Sequence, residues 1–146
     1  MAMAERTATC NWQGDLIHGA GTVTGGSGAL PDLPVTWASR TERSDGKTSP
    51  EELVAAAHAS CFSMALSSTL AEGGNAPDQL QVTAAVTLDR RDGAPTVTSS
   101  ALVVSGRVPG LDQSGFEAAA ADAAKNCPIS RALAALEITV DARLER

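Results

Sequence analysis

Apolar and β-branched positions fall into short alternating runs near both ends of the chain, with one long helical run between them. Thr7 to Trp12, Gly19 to Thr24 and Leu33 to Ser39 read as strands, because glycines bracket each short β-branched run and Gly25-Gly26-Ser27-Gly28 supplies a turn. Ser44 to Lys47 is a polar loop. A helix start follows: Ser49 as cap, Pro50 at the first helical position and Glu52 three residues after Ser49, the pattern of a capping box. Leu53, Ala57, Cys61, Met64 and Ala65 then recur at helical spacing, and the run continues to about Glu72, where Gly73-Gly74 stops it. Most faces of this helix are apolar or small, which predicts a central, buried element.

Leu80 to Asp89 and Thr96 to Val108 alternate with period two and are joined by Arg90-Arg91-Asp92-Gly93, the pattern of a long hairpin closed by Pro109-Gly110. Ser114 with Glu117 signals a second helix through the alanine run to Lys125. Pro128 opens a short third helix through Ala134, and Glu137 to Leu144 reads as a last strand. The order β-β-β-α-β-β-α-α-β predicts an α+β fold, antiparallel strands packed on a long central helix. Without repeats or linkers, residues 1–146 are expected to form a single domain.

Composition sharpens that picture. Hydrophobic residues are 43% of the 146 positions, but 27 of the residues are alanine, and two tryptophans and two phenylalanines are the whole aromatic set. So little bulk cannot fill two separate cores, and a surface rich in small side chains is often completed by a second subunit, so a homo-oligomer is expected. The apolar stretches are interrupted before reaching the roughly 20 residues that span a bilayer. The first residues lack a secretory pattern, so no membrane association and a cytoplasmic location are expected. A net charge of −6, with eleven scattered basic residues, argues against a nucleic-acid partner.

Three cysteines at no Cys-x-x-Cys spacing, with only His18 and His58 to accompany them, make a poor disulfide scaffold and a poor metal site. Thiol chemistry or inert burial remains. Cys61 lies about three turns into the long helix. Cys127 precedes Pro128 at the third helix's start, where unpaired amides favour an anion. Each can be read as a nucleophile or as a small buried hydrophobe. Arg40, placed at the end of the third strand, and Glu51, in the first turn of the long helix, are separated by a loop that permits them to pair; both can equally be solvated surface charges.

The run Thr48-Ser49-Pro50-Glu51-Glu52-Leu53-Val54-Ala55-Ala56-Ala57-His58-Ala59-Ser60-Cys61-Phe62-Ser63-Met64-Ala65-Leu66 resembles the signature of the OsmC/Ohr family, osmotically inducible and organic hydroperoxide resistance proteins. Asn126-Cys127-Pro128-Ile129-Ser130-Arg131-Ala132-Leu133 resembles its second cysteine motif, and Trp12-Gln13-Gly14-Asp15 and Ser39-Arg40 extend the match over nearly the whole chain. His58, where the Ohr branch usually carries an aromatic residue, is similar to the OsmC branch. The resemblance implies an OsmC-like intertwined homodimer and a cysteine-based thiol peroxidase that reduces organic hydroperoxides and, less efficiently, hydrogen peroxide. On that pattern Cys61 attacks the peroxide and becomes a sulfenic acid, and Cys127 resolves it as an intramolecular disulfide. Arg40 stabilises the Cys61 thiolate, with Arg43 as the runner-up, and Glu51 orients the arginine. No cofactor or metal is implied; the partner is a dithiol reductant, for which the family suggests a lipoylated protein. Cys10 is expected to be a buried bystander and His58 a packed or interfacial histidine. The alternative is a stress-associated ligand-binding module on the same fold without turnover.

Overall fold

The computed structural model describes residues 1–145, which form two compact units, Met1–Leu53 and a second beginning at Val54. In the first, β1 (Ala8–Gln13), β2 (Ala20–Gly25) and β3 (Leu33–Val35) make an antiparallel sheet in chain order. Trp12 pairs with Gly21, where a Cβ would stand 2.8 Å from the indole ring, so the ring takes the space that glycine leaves. The third strand is shorter than predicted. Trp37–Thr41 is a helix, α1, because Thr36 and Ser39 form a reciprocal capping box: the Thr36 hydroxyl accepts from the Ser39 amide and the Ser39 hydroxyl from the Thr36 amide.

Helix α2 (Pro50–Glu72) begins in this unit and continues into the second. The Ser49 hydroxyl caps the Glu52 amide at 3.1 Å, but the Glu52 carboxylate accepts from the Thr48 hydroxyl at 2.7 Å, so the cap is single rather than reciprocal. The second unit contains β4 (Gln79–Arg91), β5 (Ala94–Arg107), helices α3 (Gln113–Asn126) and α4 (Pro128–Ala132), and β6 (Glu137–Leu144). Its sheet order is β4-β5-β6; the hairpin is antiparallel as predicted, whereas β6 runs parallel to β5, since two helices carry the chain back across the sheet between them. Asp112 caps α3 by accepting from the Gly115 amide at 2.8 Å, two residues before the predicted Ser114.

The core of this unit gathers Phe62, Leu66 and Leu70 from α2, Leu102 and Val104 from β5, and Phe116, Ala120 and Ala123 from α3. Gly106 lets α3 approach the sheet, for a Cβ there would lie 2.7 Å from the Phe116 ring. Only one stripe of α2 is buried, at His58, Phe62, Leu66 and Leu70, while Ala56, Ala57 and Ser60 are exposed and Met64 is 72% exposed. Alanine and serine on the other faces bury little area, so the single chain covers one stripe of the helix expected to be central and buried. By length and a mean hydropathy of 1.4, α2 also passes as long and apolar enough to cross a membrane, as core helices of soluble proteins do, and its buried stripe packs within the protein.

Candidate functional site

Four residues were expected to carry the chemistry, and the structure builds them as two pairs. Arg40 lies in the last turn of α1, rather than at a strand end, and Glu51 in the first turn of α2. The guanidinium grips the carboxylate through Nε, at 3.0 and 3.1 Å from its two oxygens, and through Nη2 at 2.8 Å. The Glu51 side chain is 10% exposed and that of Arg40 30%. A two-pronged ion pair of this kind fixes the plane of the guanidinium as well as its charge. Trp37, one helical turn before Arg40, adds its ring 5.9 Å from the guanidinium carbon. The Ser39 hydroxyl donates to the Thr48 carbonyl at 2.8 Å, tying α1 to the residues that lead into α2. Arg43, the runner-up, pairs instead with Asp45 at 3.2 Å on an exposed loop.

The second pair is Cys61 and Cys127. Cys61 is partly exposed on α2, and Cys127, at the junction of α3 and α4, is 0% exposed; both are free thiols. They are near enough to alter each other's ionisation. Burial pushes the Cys61 thiol up, the Ile129 amide opposes this, and contact with Cys127 adds to the rise, so its pKa lies above the ordinary thiol value. Burial also pushes Cys127 up, but the Ser130 amide, the Cys61 thiol, the Ser130 hydroxyl and the Ile129 amide together outweigh it and bring the pKa below that value. Cys127 forms no formal cap bond with α4; its sulfur lies in the field of the first-turn amides. Of the two thiols, Cys127 is therefore the one that ionises more readily.

His58 is packed, as one of the two expected readings had it. It is 0% exposed, with Nδ1 2.6 Å from the Ser100 hydroxyl and Nε2 2.8 Å from the Ser130 hydroxyl. Burial holds its pKa below the ordinary value, so the ring is neutral. Ser100 and Ser130 were missed by sequence reasoning, for they lie 42 and 72 residues from His58. Cys10, expected to be buried, is exposed on β1. Among the described residues no cluster of three or more His, Cys, Asp or Glu side chains could hold a metal ion.

Residues 43–143 match the family model described as OsmC-like protein. The chain is 44% identical over 135 residues to "Peroxiredoxin OsmC" of Escherichia coli strain K12, covering 92% of this chain and 93% of that protein, and equally to its counterpart in Shigella flexneri. Among solved structures it superimposes on the organic hydroperoxide resistance protein OhrB of Bacillus subtilis with a TM-score of 0.68, 26% identity, and coverage of 95% and 98% of the two chains. An organic hydroperoxide resistance protein from Elizabethkingia anophelis shares the fold with a TM-score of 0.75 at 21% identity, over 99% of this chain and 100% of that one.

Proposed function

This chain belongs to the OsmC-like protein family and is a peroxiredoxin-like hydroperoxide reductase, and we propose that Cys61 attacks the peroxide and Cys127 resolves the product. The observation that carries the assignment is the difference in access between the two thiols. Cys127 holds the lower pKa, yet it is fully buried, so a peroxide cannot reach its sulfur; Cys61 is partly open. Nucleophilicity without access does no chemistry.

In the first step the Cys61 proton passes to the Cys127 sulfur, and the Cys61 thiolate attacks the peroxide. An S–O bond forms, the O–O bond breaks, and the departing alkoxide takes the proton held by Cys127 to leave as the alcohol, which restores the Cys127 thiolate. In the second, the Cys127 thiolate attacks the Cys61 sulfenic acid, the S–S bond forms and hydroxide leaves. A dithiol reductant, which the family resemblance suggests is borne on a lipoylated protein, then returns both thiols. Within this reading Arg40 stabilises the Cys61 thiolate and the departing oxygen, and Glu51 holds Arg40; the two-pronged geometry of their contact supports the role of an oriented cation.

The family model runs without a break from residue 43, near the end of the first compact unit, to residue 143 in the second, which supports a single OsmC-like domain. The exposed α2 face of small side chains around Met64, itself 72% exposed, supports a homodimer. Steady-state consumption of tert-butyl hydroperoxide with dihydrolipoamide tests the activity: the parent turns over and Cys61→Ser does not. Turnover retained by Cys61→Ser overturns the assignment.

A further inference from the structure

Three hydroxyl or imidazole groups lie in line behind the resolving sulfur, and the two steps above use none of them. Ser100 on β5, His58 on α2 and Ser130 on α4 are 0%, 0% and 5% exposed and joined at 2.6 and 2.8 Å; Ser130 stands in the first turn of α4, which begins directly after the buried Cys127, and its hydroxyl helps to lower the Cys127 pKa. A buried neutral imidazole has one N–H donor and one bare nitrogen, so the chain of hydrogen bonds has one of two directions. If the Ser130 hydroxyl donates to Nε2, its hydrogen is turned away from the sulfur. If Ser100 donates to Nδ1, Nε2–H donates to the Ser130 oxygen and the Ser130 hydrogen is free to meet the sulfur.

We propose that His58 is a positioning residue for disulfide formation: with Ser100 donating to Nδ1, it donates Nε2–H to Ser130 and so turns the Ser130 hydroxyl onto the Cys127 thiolate. The inference rests on Cys127 being the resolving cysteine. All donors in this direction are used and point towards the charge, and none of the three links crosses a solvated surface. The titratable group facing Cys127 is Cys61 on α2. β5 contributes Ser100 and α4 contributes Ser130, neither of which titrates near neutrality, and the hydrogen-bond partners of His58 are these two hydroxyls. A hydroxyl donating to a thiolate stabilises the attacking form, and chained hydrogen bonds strengthen one another where water is excluded. His58 touches neither sulfur nor peroxide in this scheme; it acts through Ser130.

The test separates the two chemical steps in a Cys10→Ser background. One equivalent of tert-butyl hydroperoxide is added, and trapping with dimedone follows sulfenic acid at Cys61 while loss of free thiol follows the disulfide. Ser130→Ala and His58→Leu are expected to slow disulfide formation about tenfold near neutral pH, the loss of one hydrogen bond to a charged group. The deficit should shrink as pH rises and Cys127 ionises without help. His58→Gln, whose side-chain amide can donate to Ser130, should recover part of the rate, and Ser100→Ala should fall between. Ser100→Ala and Ser130→Ala carry the test should His58→Leu not fold. Resolution within twofold of the parent at every pH in the folded variants overturns the proposal, as does a deficit that is the same at low and high pH. If no sulfenic acid forms at Cys61 even in Cys127→Ser, the peroxidase assignment is what fails.

Discussion

Glu51→Gln separates an oriented guanidinium from a merely present one. The amide keeps the size of the carboxylate but offers one acceptor, so at most the contacts of 3.0 and 2.8 Å to Oε1 survive, uncharged. At the second oxygen an NH2 group now faces Arg40 Nε–H, donor against donor, where the parent has a 3.1 Å hydrogen bond. A hydrogen bond to a charged group stabilises by about 1.5–3 kcal/mol; because the Arg40 side chain is 30% exposed, solvent screening reduces the expected loss to about 1–2 kcal/mol. If orienting Arg40 is what Glu51 contributes to the attack, the same energy leaves the transition state, and Cys61 oxidation slows about 5- to 30-fold. Urea unfolding measures the first quantity and stopped-flow oxidation by tert-butyl hydroperoxide the second. Arg43→Met is the control, since its exposed contact with Asp45 should contribute under about 0.5 kcal/mol and nothing to rate. A Glu51→Gln protein that loses the expected stability yet oxidises within twofold of the parent refutes the reasoning, and the pair is then structural only.

Other outcomes follow from burial and capping. Phe62→Ala empties a fully buried site on α2 and should cost about 3–5 kcal/mol in urea unfolding. Asp112→Ala removes the observed cap of α3 and should cost about 1 kcal/mol, whereas Ser114→Ala should cost under about 0.5 kcal/mol, a reversal of the sequence expectation. His58 is held neutral by burial, so the unfolded chain accepts a proton that the folded one refuses. Its contribution to stability is complete above about pH 6.5 and falls as pH drops below that, by about 1.4 kcal/mol per pH unit until the folded ring itself titrates. Comparing urea midpoints at about pH 7.5 and about pH 5.5 should show this dependence in the parent and a weaker one in His58→Gln, and equal slopes in the two proteins contradict it.

Periodicity revealed the elements it governs. The existence of α2 and the alternation of β4 and β5 follow from helix and strand geometry and were legible. The buried stripe of α2, however, is His58, Phe62, Leu66 and Leu70 rather than the expected Leu53, Ala57, Cys61, Met64 and Ala65, of which Ala57 and Met64 are exposed, because small residues on every face leave the pattern without a clear apolar side. Strand direction was not, because alternation is the same in parallel and antiparallel pairs; the two helices between β5 and β6 were the available signal for a parallel return. Leu33 to Ser39 read as one strand because its β-branched and aromatic residues outweighed the start of a five-residue helix, Trp37–Thr41, whose evidence is a local capping box. The meeting of Arg40 with Glu51 could be anticipated from a short loop, while Ser100 and Ser130 come to His58 only through tertiary packing. The exposure of Cys10 has a practical consequence, for an open thiol on β1 can react with reagents meant for the site.

The division of labour between Cys61 and Cys127 is most directly read by following one turnover by mass spectrometry and thiol counting in a Cys10→Ser protein. With one equivalent of an organic hydroperoxide, two free thiols should vanish as one Cys61–Cys127 disulfide. The additional Cys127→Ser change should stop the reaction with one oxygen atom on Cys61. Cys61→Ser should leave the peroxide unconsumed. Oxygen accumulating on Cys127, or peroxide consumed at the parent rate without Cys61, would contradict the account.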